Sequence, residues 1–141
     1  DHRQSIIMGE KSLELDPRLF LAHYSLGQSY LKIGQCEEAV EAFNQYLKIY
    51  PYSPEVHNYF GIAFLCQKQF DKAIREFEWE LRINPDHAFA HLNLGNLYWD
   101  EMHDRQKAIY HLNLALRLLD PFFPDRDEII RLIKQIEMLS S

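Results

Sequence analysis

The sequence repeats itself every 34 residues, and this period constrains the fold more than any other feature. A histidine, a glycine that follows Leu or Phe, and an aromatic residue each return at that spacing. In chain order these are His23, His57 and His91, then Gly27, Gly61 and Gly95, then Tyr30, Phe64 and Tyr98. A fixed period of this length is typical of stacked units, none of which can bury a core alone.

Within each unit, apolar residues recur every three or four positions, which predicts two amphipathic helices. Leu26, Tyr30 and Ile33 mark the first helix, and the same spacing resumes at Ala39. Gly34 lies between them as a helix stop. The pattern predicts helices over 3–15, 19–33, 36–49, 54–67, 70–83, 88–101, 105–119 and 126–139. We therefore expect an all-α fold.

This pattern resembles the tetratricopeptide repeat (TPR) family. The residues that carry the resemblance are Leu26, Gly27, Tyr30, Ala39, Phe43 and Pro51; Phe60, Gly61, Phe64, Ala73, Phe77 and Pro85; and Leu94, Gly95, Tyr98, Ala108, Leu112 and Ala115. The resemblance implies a right-handed α-solenoid of antiparallel helix pairs, the TPR superhelix, with a concave groove lined by each pair's first helix. Tyr46 and Glu80 depart from the family by replacing a small residue, and we expect looser packing there.

The repeat register predicts how the chain is divided. Residues 20–53, 54–87 and 88–121 are three TPR repeats, the third with a one-residue insertion in the polar stretch after its first helix. Residues 1–17 are expected to be the second helix of a truncated preceding repeat, which makes the chain a fragment of a longer array. Residues 125–139 are expected to form a C-terminal capping helix that covers the last repeat. A partner-binding amphipathic helix is the alternative interpretation.

The resemblance also implies which side chains line the groove. These are aromatic and amide residues of the first helices: Tyr24, Gln28, Asn58, Tyr59, Phe89, Asn93, Asn96 and Trp99. Aromatic rings offer rigid contact area, and amides can hydrogen-bond a peptide backbone. We therefore predict a non-catalytic scaffold that binds a peptide or helix of a protein partner. For each aromatic residue the alternative is ordinary packing between helices.

Sequence motifs of catalysis are missing. Neither GxGxxG nor GxxxxGK can be formed from the five glycines, and HExxH and GxSxG do not occur. His23, His57 and His91 would lie on successive repeats, too far apart to ligate one ion. We expect no enzyme activity, no cofactor and no metal, and we expect these histidines to pack between helices.

Charge and composition narrow the classes of partner. With 15 Lys and Arg against 21 Asp and Glu, the net charge of −6 disfavours nucleic-acid binding. No apolar run approaches the ~18 residues that a membrane span requires. Cys36 and Cys66 form no CxxC pair and are predicted to be free thiols, which weakly favours the cytoplasm.

Two TPR subtypes can be compared by residue. Chaperone-tail-binding members hold a carboxylate with a clamp of Lys, Asn and Arg. The matching positions here are Tyr24, Gln28, Tyr59, Phe89 and Asn93, none of which is Lys or Arg, so that clamp is not expected. Asn93 and Asn96 match the asparagine ladder of O-linked N-acetylglucosamine transferase repeats, but the similarity is confined to one repeat.

Two alternatives to a peptide-binding scaffold stay open. The chain is the recognition or regulatory segment of a larger enzyme, such as a glycosyltransferase or peptidase, or it self-associates through exposed terminal helices.

Overall fold

The computed structural model describes residues 1–139, which form eight α-helices and no β-strand. The helices are α1 (His2–Leu15), α2 (Phe20–Lys32), α3 (Cys36–Ile49), α4 (Val56–Cys66), α5 (Phe70–Ile83), α6 (Ala88–Asp100), α7 (Arg105–Leu118) and α8 (Arg126–Met138). Their ends differ from the predicted ones by at most two residues. The all-α fold class is confirmed. Within the described chain, no helix has the length and apolarity that crossing a bilayer requires.

The chain folds as two compact units, an N-terminal unit of residues 1–76 and a C-terminal unit of residues 77–141. In the N-terminal unit, α2 packs against α1, α3 and α4, and α3 also packs against α4. Gly27 lies mid-helix on α2, where an added Cβ would come within 2.6 Å of the Phe43 ring. The glycine therefore allows α3 to bring a fully buried phenylalanine against the backbone of α2.

In the C-terminal unit, α6 packs against α7 and α7 against α8. Gly95 on α6 repeats the close approach, because its Cβ would lie 2.6 Å from Cγ of Leu112. Arg126, the first residue of α8, donates from Nη1 to the carbonyl oxygens of Leu116 (2.6 Å) and Leu119 (3.4 Å) at the end of α7. These bonds satisfy helix-end carbonyls and fix the start of α8 on α7. The apolar face of α8 is buried through Ile129, Ile133 and Ile136.

The turn inside each helix pair uses one residue in the left-handed conformation. Gly34 (φ 77°), Lys68 (φ 57°) and His103 (φ 53°) fill this position in successive pairs. In the first pair, the amides of Gly34 and Gln35 donate to the carbonyls of Leu31 (3.1 Å) and Tyr30 (2.9 Å), which is a Schellman motif. The loop between α6 and α7 spans residues 101–104 and is one residue longer than the loops inside the other two pairs, residues 33–35 and 67–69.

The two cysteines correct one expectation. The structure joins Cys36, at the start of α3, to Cys66, at the end of α4, with 5.8 Å between their Cα atoms. The prediction of free thiols was therefore wrong. Sequence reasoning considered only whether the cysteines were close along the chain, whereas the helix pairing brings residues 30 positions apart side by side.

The expected looseness at Tyr46 and Glu80 is also wrong. Both side chains are buried, and Glu80 is 0% exposed. The Tyr46 hydroxyl lies 3.1 Å from Oγ of Ser53, and Nε2 of His87 lies 3.9 Å from a carboxylate oxygen of Glu80. The larger side chains fill the space that a small residue would leave, and each has a polar neighbour.

Candidate functional site

An aromatic surface forms where α2 and α4 of the N-terminal unit lie together. The ring centre of Tyr24 on α2 is 6.0 Å from that of Tyr59 on α4 and 5.6 Å from that of Tyr46 on α3. Phe43 stacks on Tyr59 at 6.2 Å and is fully buried. Aromatic pairs at these distances stabilise one another. Because Tyr24 and Tyr59 are only part-buried, each ring still offers surface to a ligand.

An amide lies next to these rings. Nε2 of Gln28 donates to the Tyr24 hydroxyl at 3.1 Å, one helical turn along α2. This bond uses one of the two amide protons and fixes the side chain beside the ring. We call Tyr24, Gln28 and Tyr59 the tyrosine face. It brings together three of the residues that the sequence predicted for peptide binding.

Asn58 does not belong to the tyrosine face. It is adjacent to Tyr59 in the sequence, but only 6% of its surface is exposed. A side chain buried to that degree offers little surface to a peptide. The structure therefore removes Asn58 from the accessible candidates in the N-terminal unit.

The other predicted residues, Phe89, Asn93, Asn96 and Trp99, all lie on α6 of the C-terminal unit. Phe89 is 48% exposed and meets Phe123 edge to face, with ring centres 5.8 Å apart. Asn93 is part-buried. Phe89 therefore presents exposed aromatic surface, and its ring is supported by the loop that precedes α8.

Asn96 and Trp99 line different cavities. Asn96 lines one of about 220 Å³ together with apolar residues of α6 and α8, namely Leu92, Ile129 and Leu132. Trp99 lines one of about 390 Å³ at the end of α6, beside His103 and Arg105. The α6 candidates are thus spread along the helix and do not converge on one pocket.

The histidines that repeat every 34 residues have a defined structural role in two repeats. His57 donates from Nε2 to the carbonyl oxygen of Pro51 at 2.7 Å, and His91 does the same to Pro85 at 3.0 Å. A carbonyl oxygen only accepts, so Nε2 carries the proton in both bonds. Each histidine therefore fastens its helix to the turn that precedes it.

The second ring nitrogen has a different partner in each case. Nδ1 of His57 lies 2.7 Å from a carboxylate oxygen of Glu76, whereas Nδ1 of His91 lies 2.9 Å from Nδ1 of His111. Sequence reasoning expected packed histidines but missed both partners. The available signal was spacing, because Glu76 follows its histidine by 19 residues and His111 by 20, after the inserted residue.

His111 is electrostatically unusual. Burial lowers its pKa to about 4, and repulsion from His91 and Lys107 acts in the same direction. The Tyr98 ring stacks on the imidazole with ring centres 5.7 Å apart. Near neutral pH the imidazole is therefore uncharged, and its Nδ1–H can donate to His91.

The next question is whether the described residues could form a metal-binding site. No group of three or more His, Cys, Asp or Glu side chains is placed to hold an ion there. The His91–His111 pair supplies two nitrogens only, whereas tetrahedral protein sites use three or four ligands.

Family models for the tetratricopeptide repeat match residues 21–53 and 60–120, which together cover more than half of the chain. The chain belongs to the tetratricopeptide repeat family. The eight helices of residues 1–139 agree with the all-α helical-solenoid fold class of this family.

Solved structures agree with this assignment. One described as MamA shares 25% identity with a TM-score of 0.85, covering 99% of this chain and 80% of that one. MamA residues 41 to the end from Desulfovibrio magneticus RS-1 share 24% identity and a TM-score of 0.79, with 84% of this chain covered. This chain spans 66% of the length of that structure. TTC0263, a thermophilic TPR protein in Thermus thermophilus, shares 21% identity and a TM-score of 0.76, covering 94% of this chain and 72% of that one.

Proposed function

We propose that this TPR protein binds a peptide or helical segment of a partner protein on the tyrosine face, without catalysis. The observation that carries the proposal is the contact of Tyr24 with Tyr59 beside the Gln28 amide. Part-exposed tyrosines on a buried aromatic support lose little conformational entropy on binding, and such residues dominate protein interfaces.

The side chains of the tyrosine face indicate which chemical groups a ligand should present. The rings favour an apolar or aromatic side chain, and the Gln28 amide can hydrogen-bond a peptide group next to it. No Lys or Arg belongs to the tyrosine face, so recognition of a C-terminal carboxylate is not part of the proposal. In the C-terminal unit we propose Phe89, Asn93, Asn96 and Trp99 as further contacts of a partner.

The alternative expectation, a recognition arm of a larger enzyme, has no specific observation in its favour within residues 1–139, and we do not propose it. Exclusion of nucleic acid is part of the proposal. It is supported by the net charge of −6, because phosphate backbones are bound through an excess of Lys and Arg.

The proposal is tested by selecting binders from a library of random peptides displayed on phage. We expect selected peptides to lose about 10-fold or more in affinity for a Tyr24→Phe/Gln28→Ala variant, because it removes a hydroxyl and an amide at the contact. Fluorescence anisotropy with labelled peptides measures the loss.

The chain offers a matched control. Gln106 and Tyr110 lie on α7 with the same four-residue spacing, and both are exposed. Tyr110→Phe/Gln106→Ala should leave the affinity unchanged. Selected peptides that bind both variants equally well would show that the ligand lies elsewhere.

A further inference from the structure

A second surface of the N-terminal unit has the form of a binding groove. α1 and α3 both pack on α2 but not on each other, and the space between them is an open cavity of about 900 Å³. His23, Leu26 and Tyr30 of α2 line it. With 3.6 residues per turn, they lie on nearly the opposite side of α2 from Tyr24 and Gln28. The groove is therefore distinct from the tyrosine face.

The floor of the groove is apolar. Leu13 of α1, Leu26 of α2, and Val40 and Ala42 of α3 line it. Leu26 and Ala42 belong to the core, whereas Leu13 and Val40 are part-buried and keep some accessible surface. An apolar floor of this kind gains free energy when a partner's apolar side chain removes it from water.

The rim of the groove is acidic. Glu10 of α1 and Glu37, Glu38 and Glu41 of α3 line it, and none of the lining residues is Lys or Arg. The bonds to these carboxylates come from uncharged donors: the Tyr30 hydroxyl to Glu10 (2.5 Å), Gln45 to Glu41 (2.5 Å) and Gln35 to Glu38 (3.4 Å). In residues 1–139 none of the four carboxylates forms an ion pair within 4 Å.

The neighbouring titratable groups do not offset this charge. Burial lowers the pKa of His23, although the Glu41 carboxylate acts against the shift, so the imidazole is largely uncharged near neutral pH. Burial and the bond to Glu10 raise the pKa of Tyr30, which keeps its hydroxyl protonated as a donor. Four carboxylates thus surround one apolar floor.

Local helix energetics explain only part of the arrangement. Glu37 and Glu38 lie in the first turn of α3, where the helix dipole favours negative charge. Glu41 lies one turn further and repels Glu37 at the (i, i+4) spacing. Glu10 comes from a different helix. Their convergence on one cavity concentrates negative charge there, which a cationic ligand would neutralise.

We propose that this groove binds a basic amphipathic segment of a partner protein. Its apolar side chains lie on the floor, and its Lys or Arg side chains meet the four carboxylates. A second copy of this chain is a poorer occupant, because two molecules of net charge −6 repel each other. The groove and the tyrosine face can be occupied together.

The test uses a synthetic amphipathic helical peptide of Leu and Lys, labelled for fluorescence anisotropy, and a second peptide with Glu in place of every Lys. We expect the Lys peptide to bind, with weaker affinity at higher salt, and the Glu peptide not to bind. In the Glu37→Gln/Glu38→Gln/Glu41→Gln variant we expect about a 10-fold or greater loss, because three of the four rim charges are removed.

The matched control, Glu101→Gln/Glu128→Gln/Glu137→Gln, changes net charge equally at exposed positions of the C-terminal unit and should bind like the wild type. Equal affinity for both triple variants overturns the proposal, as does binding of the Glu peptide or no binding of the Lys peptide. A dimer in sedimentation that dissociates in the groove variant would assign the groove to a second copy and also overturn it. Gln28→Ala should leave Lys-peptide affinity unchanged, which separates this test from that of the tyrosine face.

Discussion

The two units of this protein use the same repeat position in two ways. His57 in the N-terminal unit and His91 in the C-terminal unit both donate to the carbonyl of the proline six residues earlier. Their other nitrogens meet unlike groups, the carboxylate of Glu76 in one unit and the imidazole of His111 in the other. His57 and His91 therefore share the hydrogen bond to the backbone. The partner of the second ring nitrogen differs, because it comes from a different residue type on the second helix of each repeat.

The two kinds of contact differ in how well a repeating sequence predicts them. A carbonyl is present whatever the side chain, so His57 and His91 can share this bond although their other partners differ. Within residues 1–139, His23 also follows a proline, Pro17, by six residues but does not form the bond. The partner from the second helix depends on one residue, and the equivalent of Glu76 in the first repeat is Ala42. The backbone hydrogen bond of this histidine is thus common to both units, whereas the side chain that contacts its second nitrogen is not.

The largest predicted difference between the units comes from the Cys36–Cys66 disulfide, which lies in the N-terminal unit. Closing a loop of 30 residues restricts the unfolded chain and should stabilise the fold by about 3 to 4 kcal/mol. Urea unfolding of the oxidised protein and of Cys36→Ser/Cys66→Ser measures this free energy. Amide hydrogen exchange should show the greater loss of protection in residues 1–76.

The serine variant is also the control, because a reductant should lower the midpoint of the wild type and leave that of the variant unchanged. Equal urea midpoints for the wild type and the variant would contradict a stabilising disulfide.

Substitutions of the repeated mid-helix glycines, Gly27 and Gly95, test how closely the helices of each unit are packed. Ala in place of Gly95 would put a Cβ 2.6 Å from Leu112 Cγ and 3.1 Å from its backbone nitrogen, so α7 itself would have to shift. We expect overpacking to cost about 2 to 3 kcal/mol, which exceeds the ~1 kcal/mol that Ala gains over Gly in a helix and leaves a net loss of stability. Gly27→Ala should cost somewhat less, because its close contacts are with atoms of the Phe43 ring.

Gly9→Ala is the control for this series. Its Cβ would lie 2.9 Å from Cγ and Cδ2 of the buried Leu26, and its three nearest atoms all belong to that side chain, so the substitution should cost less than Gly95→Ala in thermal unfolding. A Gly95→Ala variant that is as stable as Gly9→Ala would show that α6 and α7 are not held at the observed separation.

The smallest predicted difference is in pH dependence. His111 has an unfolded pKa near 6.5 and a folded pKa of about 4, so between these values the unfolded state binds more protons. The stability it contributes is complete above about pH 6.5 and is lost as pH falls toward 4. Because the ring is part-exposed, we discount the full shift for solvent screening and expect about 1 to 2 kcal/mol.

Thermal unfolding at several pH values measures this slope. His111→Gln keeps a donor toward His91 but does not titrate, so it should flatten the slope. His103→Gln, at an exposed position, should not. A His111→Gln protein with an unchanged slope would place the pH dependence elsewhere.

Much of the fold could be predicted because helix periodicity and the 34-residue period are local or repeating signals. The ends of all eight helices followed to within two residues from apolar spacing, Gly and Pro. The disulfide and the partners of His57 and His91 could not be predicted in this way, since they depend on which residues of separate helices meet. Burial of Asn58 beside a part-exposed Tyr59 shows the same limit within one helix.

The central claim, that the tyrosine face binds a partner's peptide, is tested most directly by NMR titration of the isotopically labelled protein with a library-selected peptide. We predict the largest chemical-shift changes at Tyr24, Gln28 and Tyr59, with saturation at the affinity measured by anisotropy. Shift changes confined to other residues, with these three unchanged at saturation, would contradict the account.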